Sequence, residues 1–202
     1  AAVCLFELLN PFVELSFGAK YLFETNIVLI LCINFYIYGI TKTGKIFHNS
    51  LGLFWYDRYK AVIEAVINLI ASLILVHNFG VFGIFMGTLI STVLTTLWVE
   101  PFVIYKYHFK EGVTGYYLCM AWYFVQTAFA WAVAHFACVR IEKISGIAGC
   151  IPQIALRLVI VTVVMNGIFL IININNKNFR FLLAKFFSII KVGKSGKNGV
   201  RR

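Results

Sequence analysis

Seven polar side chains recur at helical spacing inside two strongly apolar stretches of this 202-residue chain. Glu64, Asn68 and Ser72 stand at i, i+4 and i+8, which puts them on one face of a helix whose other faces are apolar. Thr88, Thr92, Thr96 and Glu100 repeat the spacing in the next stretch. A charged carboxylate in lipid is costly unless protonated or paired, so Glu64 and Glu100 are candidates for coupling to an ion or for lining a hydrated substrate path. Hydrogen bonding between helices explains the same stripes, at about 0.6 kcal/mol per contact, and suits the threonines best. Four cations are candidate phosphate contacts. Lys45, Arg58 and Lys60 lie ahead of the first stretch and Arg157 lies within a later apolar run; each can form charge-assisted hydrogen bonds to a pyrophosphate. Arg157 can instead snorkel its long side chain to the membrane surface.

The elements that must position these residues are membrane helices. The chain is 61% hydrophobic and 13% charged, with a mean hydropathy of +0.86, far from the balance of a soluble domain. Five apolar runs approach or exceed the roughly 20 residues that cross a bilayer: residues 21–41, 61–78, 81–105, 117–138 and 151–174. The fold class expected is all-α, a polytopic membrane helix bundle. The opening residues, which include Asn10-Pro11 and Gly18, have the character of the end of a sixth span, so the chain is expected to be the carboxyl-terminal part of a longer one. Residues 1–176 would form the transmembrane lobe, with a partial first span and five complete ones, and residues 177–202 a basic tail.

A turn over residues 76–80 makes the second and third spans antiparallel neighbours, with Glu64 and Glu100 each about six residues, or ~9 Å, inside the same surface. Gly80, Gly83, Gly87 and Ser91 line one face of the third span and predict close approach of another backbone. Pro101 is expected to kink that span beside Glu100. Residues 41–57 are expected to lie at the interface as a loop or a short helix broken near Gly52. His135, near the outer end of the fourth span, fits an interfacial side chain or a proton relay.

Net charge is +10, yet the basic residues lack the interleaved aromatic platform of a nucleic-acid binder, and no nucleic acid is expected as partner. Their distribution sets topology instead. If the five spans alternate, fourteen of the eighteen Lys and Arg fall on one side: four within residues 42–60, two at Lys106 and Lys110, and eight after Asn176. The positive-inside rule then makes the carboxyl terminus cytoplasmic. Within the tail, Phe179, Leu182, Leu183, Phe186, Phe187 and Ile190 recur at helical spacing and predict an amphipathic helix on the membrane. The five cysteines have no metal-ligand spacing; Cys138 and Cys150 flank one loop, but spacing alone sets no disulfide geometry. Short loops leave no room for a hydrolase or polymerase domain, and there is no complete Gly-x4-Gly-Lys-Ser/Thr phosphate loop, because Gly193-Lys194-Ser195 has Ser188 where the first glycine must stand. The chain is therefore expected to be no enzyme and to need no metal or cofactor.

Four phrases, Asn10-Pro-Phe-Val-Glu-Leu-Ser-Phe-Gly18, Leu51-Gly-Leu-Phe-Trp-Tyr-Asp-Arg-Tyr-Lys60, Ile63-Glu-Ala-Val-Ile-Asn-Leu69 and Phe79-Gly-Val-Phe-Gly-Ile-Phe-Met-Gly-Thr88, carry a likeness to a transporter family. The chain resembles the carboxyl-terminal half of bacterial polysaccharide flippases, the O-antigen and teichoic-acid type exporters of the multidrug/oligosaccharidyl-lipid/polysaccharide superfamily. The resemblance is strongest over residues 18–106. It implies most of one six-helix lobe of a two-lobe flippase, set in the bacterial inner membrane, with membrane lipid around it and the missing amino-terminal lobe as partner. The implied cargo is a lipid-linked oligosaccharide on a polyprenyl pyrophosphate, moved from inner to outer leaflet by alternating access. The alternatives are a cation-coupled multidrug antiporter of the same architecture and an integral-membrane glycan polymerase or acyltransferase.

Overall fold

The computed structural model describes residues 1–145, 150–177, 179–185 and 188. The described residues are helical with short connections: α1 (Ala2–Phe17), α2 (Thr25–Ser50), α3 (Lys60–Leu94), α4 (Thr96–Ile104), a π turn (Tyr105–Phe109), α5 (Thr114–Ser145) and α6 (Cys150–Asn173). Four helical stretches among them are long and apolar enough to cross a membrane: Thr25–Ser50, Lys60–Phe109, Thr114–Arg140 and Ile154–Asn173. The second of these is 50 residues long, about 75 Å if it were straight, more than twice the ~30 Å of hydrocarbon. It does not run straight. At Gly80 the backbone takes φ 57°, ψ −137°, a conformation open to glycine because there is no Cβ to clash, and the chain folds back there. With the two arms counted separately, the described residues supply five apolar helical segments where five were expected, within an all-α membrane bundle.

The helices form two sets. α6 packs on α5 and on α1, around a core of Val3, Ala134, Cys138 and Val161. The α3–α4 hairpin packs on α2. Contacts between α1 and α2 join the sets, helped by a hydrogen bond between the Tyr36 and Thr127 hydroxyls at 3.2 Å. Gly18, at φ 90°, ends α1. Asn10 then holds the turn into α2, its Nδ2 donating to the Phe23 carbonyl at 3.0 Å and its Oδ1 accepting from the Phe23 N–H at 3.2 Å.

Three expectations are corrected. α2 does not stop near residue 41 but continues to Ser50, so residues 41–50 extend a transmembrane helix rather than forming a separate interfacial one; the chain breaks only at Gly52, in the left-handed region, and then makes a single 3₁₀ turn at Leu53–Trp55. The turn over residues 76–80 shrinks to Gly80 alone, because residues 76–79 stay helical. The interruption of the third span lies at Thr95, not beside Glu100. Thr95 has φ −114°, ψ −77°, and its hydroxyl donates to the Ser91 carbonyl at 2.6 Å, a side-chain bond that competes with the helical ladder. Pro101 sits inside α4. In the tail, residues 179–185 are helical and Phe179 packs edge-on against Phe169; Phe186, Phe187, Ile190, residues 193–202 and the Cys150 side chain lie outside the described residues.

Candidate functional site

The hairpin at Gly80 brings the two polar stripes together. Contacts across it nest about one centre: Leu75 with Gly83, Ser72 with Ile84 and Gly87, Glu64 with Thr96, and Lys60 with Glu100. Small residues permit this closeness. A Cβ on Gly83 would collide with the Leu75 carbonyl, and one on Gly87 with the Ser72 side chain and backbone. Gly83, Gly87 and Ser91 are all buried, as the stripe of small residues predicts. The first arm turns its apolar residues outward, with Val62, Leu69 and Leu73 exposed by 62–63%, so lipid or another membrane segment must cover that face.

Glu64 and Ser72 on the first arm contact the second, and Asn68 lies between them on the same face. Glu64 Oε2 accepts a hydrogen bond from Thr96 Oγ1 at 3.0 Å. Ser72 Oγ lies 3.0 Å from Asn68 Oδ1 as donor and 3.4 Å from the Ile84 carbonyl. On the second arm, Thr88 Oγ1 shares that same Ile84 carbonyl at 3.4 Å, and Thr92 lies half-buried. Glu100 is the most enclosed of the set, 2% exposed, and its carboxylate is paired with the Lys60 ammonium. The arrangement is a seam between two helices, with a hydroxyl–amide end toward Gly80 and a charged end at the base of the hairpin.

The four candidate cations divide between the two helix sets. Lys60, a candidate phosphate contact, has a side chain 11% exposed and engaged by Glu100. Lys45 is exposed on α2. Arg58 is exposed in the α2–α3 loop, with its guanidinium over the Trp55 ring at 4.2 Å and the Tyr59 ring at 4.7 Å. Arg157 lies on α6, which packs on α1 and α5 rather than on the hairpin. Dispersal follows from topology: Arg157 belongs to one helix set, and the Glu64–Glu100 seam to the other.

Two further pairs had no counterpart in the sequence reading. Glu7, 5% exposed on α1, meets His135 Nδ1 at 2.8 Å; the partner is 128 positions away, and the only local signal was a lone carboxylate in an apolar run. His135, its side chain 44% exposed, thus has a carboxylate partner on α1. At the other end of α2, His48 Nε2 lies 3.2 Å from Asp57 Oδ2, but out of line for a hydrogen bond, and Phe54 covers the imidazole edge-on at 5.8 Å. This contact ties the α2–α3 loop to α2. Among the described residues no three His, Cys, Asp or Glu side chains gather as metal ligands.

Among the described residues, three of the larger cavities lie away from the seam. One of about 190 Å³ between α1, α2 and α5 is walled by apolar groups including Phe6, Leu29, Ile33, Phe124 and Trp131. Two others, of about 490 and 560 Å³, adjoin at Tyr105 near the base of the hairpin. Comparison with protein-family models, curated proteins and solved structures finds no match to this chain.

Proposed function

We propose that this chain is a lobe of a flippase that moves a polyprenyl-pyrophosphate-linked oligosaccharide across the bacterial inner membrane, with its carboxyl terminus in the cytoplasm and a second lobe completing the path. The phrases around Asn10, Leu51, Ile63 and Phe79 support the family, and a helical membrane bundle supports the class. The observation that carries the reading is the Lys60–Glu100 pair: an ammonium and a carboxylate held together at the base of a predominantly apolar hairpin. A sugar head group cannot shed its water into lipid without polar groups to replace it. Charged groups kept in oil without a task would be replaceable by apolar ones at little or no loss of stability.

In this mechanism Lys60 rests on Glu100 while the site is empty. A pyrophosphate arriving at the basic end competes for the ammonium, assisted by the exposed Lys45 and Arg58, with Arg157 contacting phosphate nearer the opposite surface. Glu100 then loses its counter-charge in a buried position, a costly state unless an incoming cation replaces the ammonium. Cargo arrival is thereby linked to ion uptake, and the Glu64–Thr96 bond one turn further in is the next to open. The hydroxyls of Ser72, Thr88 and Thr92 and the amide of Asn68 would receive sugar hydroxyls as the arms part.

The test is export of surface glycan by cells whose protein carries Glu64→Gln or Glu100→Gln. Each substitution keeps volume and hydrogen-bonding capacity and removes the negative charge. A fall of at least about tenfold for Glu100→Gln at normal protein level supports the reading, ~1.4 kcal/mol in the rate-limiting step; unchanged export removes both carboxylates from the mechanism.

A further inference from the structure

We propose that the two cavities meeting at Tyr105 form a binding site for one anionic phospholipid, separate from the Lys60–Glu100 seam. The π turn at Tyr105–Phe109 makes the wall between them; such i→i+5 turns recur at functional sites because they widen the helix and displace side chains from their regular face. On one side lies the cavity of about 490 Å³ between α2 and α5, lined by Gly44, Phe47, Ile104, Tyr116, Met120 and Tyr123. Its walls are apolar and aromatic, its size is that of a small-molecule pocket, and it opens among exposed rings such as Phe47 and Phe109, 55% and 46% exposed. Tyr105, Tyr116 and Tyr123 also line it, and tyrosine at the end of a spanning helix marks the headgroup level.

On the other side of Tyr105 lies the cavity of about 560 Å³, with Lys106 and Lys110 on its rim and Glu111 as its acid. The ion pairs of the described residues are His48–Asp57, Lys60–Glu100 and His135–Glu7, so neither lysine is neutralised by a carboxylate there. Lys106 instead extends over the Phe102 and Tyr107 rings, 5.3 and 5.5 Å from their centroids. Lys42 and Lys45, also exposed, add positive charge on α2 beside the first cavity. An acyl-sized apolar recess joined to a rim of two ammonium groups and one carboxylate, net positive, complements a molecule with a hydrocarbon chain and an anionic head. The bilayer in contact with these helix ends supplies that molecule as anionic phospholipid, and basic pockets between membrane helices bind such head groups. The phosphate belongs against Lys106 and Lys110, and one acyl chain against Phe47, Met120 and Tyr123.

The decisive experiment is native mass spectrometry of the detergent-purified protein with phosphatidylglycerol or phosphatidylcholine of matched acyl chains. Two variants address the two halves of the site. Lys106→Gln with Lys110→Gln removes the charge, and Gly44→Leu fills the recess, since a Cβ there already points at the Tyr116 hydroxyl 4.0 Å away and leucine favours the helix. Arg180→Gln with Lys185→Gln removes equal charge from the tail. The expected result is retention of one phosphatidylglycerol in preference to phosphatidylcholine, lowered about tenfold by the lysine pair and by Gly44→Leu and little changed by the tail pair. Equal retention of both lipids, equal loss with both charge pairs, or full retention in Gly44→Leu overturns the proposal. Helical circular dichroism and monodispersity of each variant show that a loss is not unfolding.

Discussion

Thr96 donates a 3.0 Å hydrogen bond to Glu64 across the hairpin, one helical turn from where Lys60 meets Glu100. The two contacts lock the base of the arms. Because 64 pairs with 96 and 60 with 100, a single reversal at Gly80 fixes both, and the two carboxylates lie at the same end of the hairpin.

The locked pair makes an asymmetric prediction about stability. Glu100→Ala strands the Lys60 ammonium in a site where it is 11% exposed, and should cost about 3–5 kcal/mol. Replacing both, as Lys60→Met with Glu100→Leu, leaves no orphan charge and should fall within about 1 kcal/mol of the parent or above it. Unfolding titrations in mixed micelles measure both.

Close approach of the arms predicts opposite responses of two glycines. A methyl group on Gly87 meets the Ser72 side chain and backbone at distances no real side chain adopts, whereas one on Gly167 meets nothing within 4 Å. Gly87→Ala should destabilise by about 1–3 kcal/mol through overpacking. Gly167→Ala, in the middle of α6, should be neutral or stabilise by up to about 1 kcal/mol. The same titration compares them.

Glu7 and His135 join α1 to α5. Truncating His135→Ala leaves the buried Glu7 carboxyl without this partner and should cost about 1–3 kcal/mol. Adding Glu7→Leu should recover part of that loss, giving a coupling energy of about 0.5–3 kcal/mol in a double-mutant cycle. Zero coupling would mean the 2.8 Å contact does not hold the helices.

What the sequence revealed and concealed follows from the range of the interactions. Helical spacing showed the two stripes, and Gly80, Gly83, Gly87 and Ser91 showed where backbones would approach, because both are local patterns. The register was legible too: a tip at Gly80 puts residue 60 opposite residue 100. Placing the turn over residues 76–80 without fixing its centre left Lys60 among the candidate phosphate contacts and its pairing with Glu100 unread. Pro101 drew the expected kink to itself, whereas the irregular backbone lies six residues earlier at Thr95, whose φ −114° and ψ −77° no residue type in the sequence announces. Glu7 with His135, and Asp57 with His48, depend on chain reversals that composition and periodicity do not encode.

The central claim, that the charged base of the hairpin serves cargo rather than holding the arms, is tested most directly by glycan export in cells carrying Lys60→Met with Glu100→Leu. The pair should reach the membrane at the parent's level and stability yet export at least about tenfold less surface glycan, ~1.4 kcal/mol in the limiting step. Export at the parent's rate by this uncharged hairpin would contradict the account and leave Lys60 and Glu100 as a structural clasp.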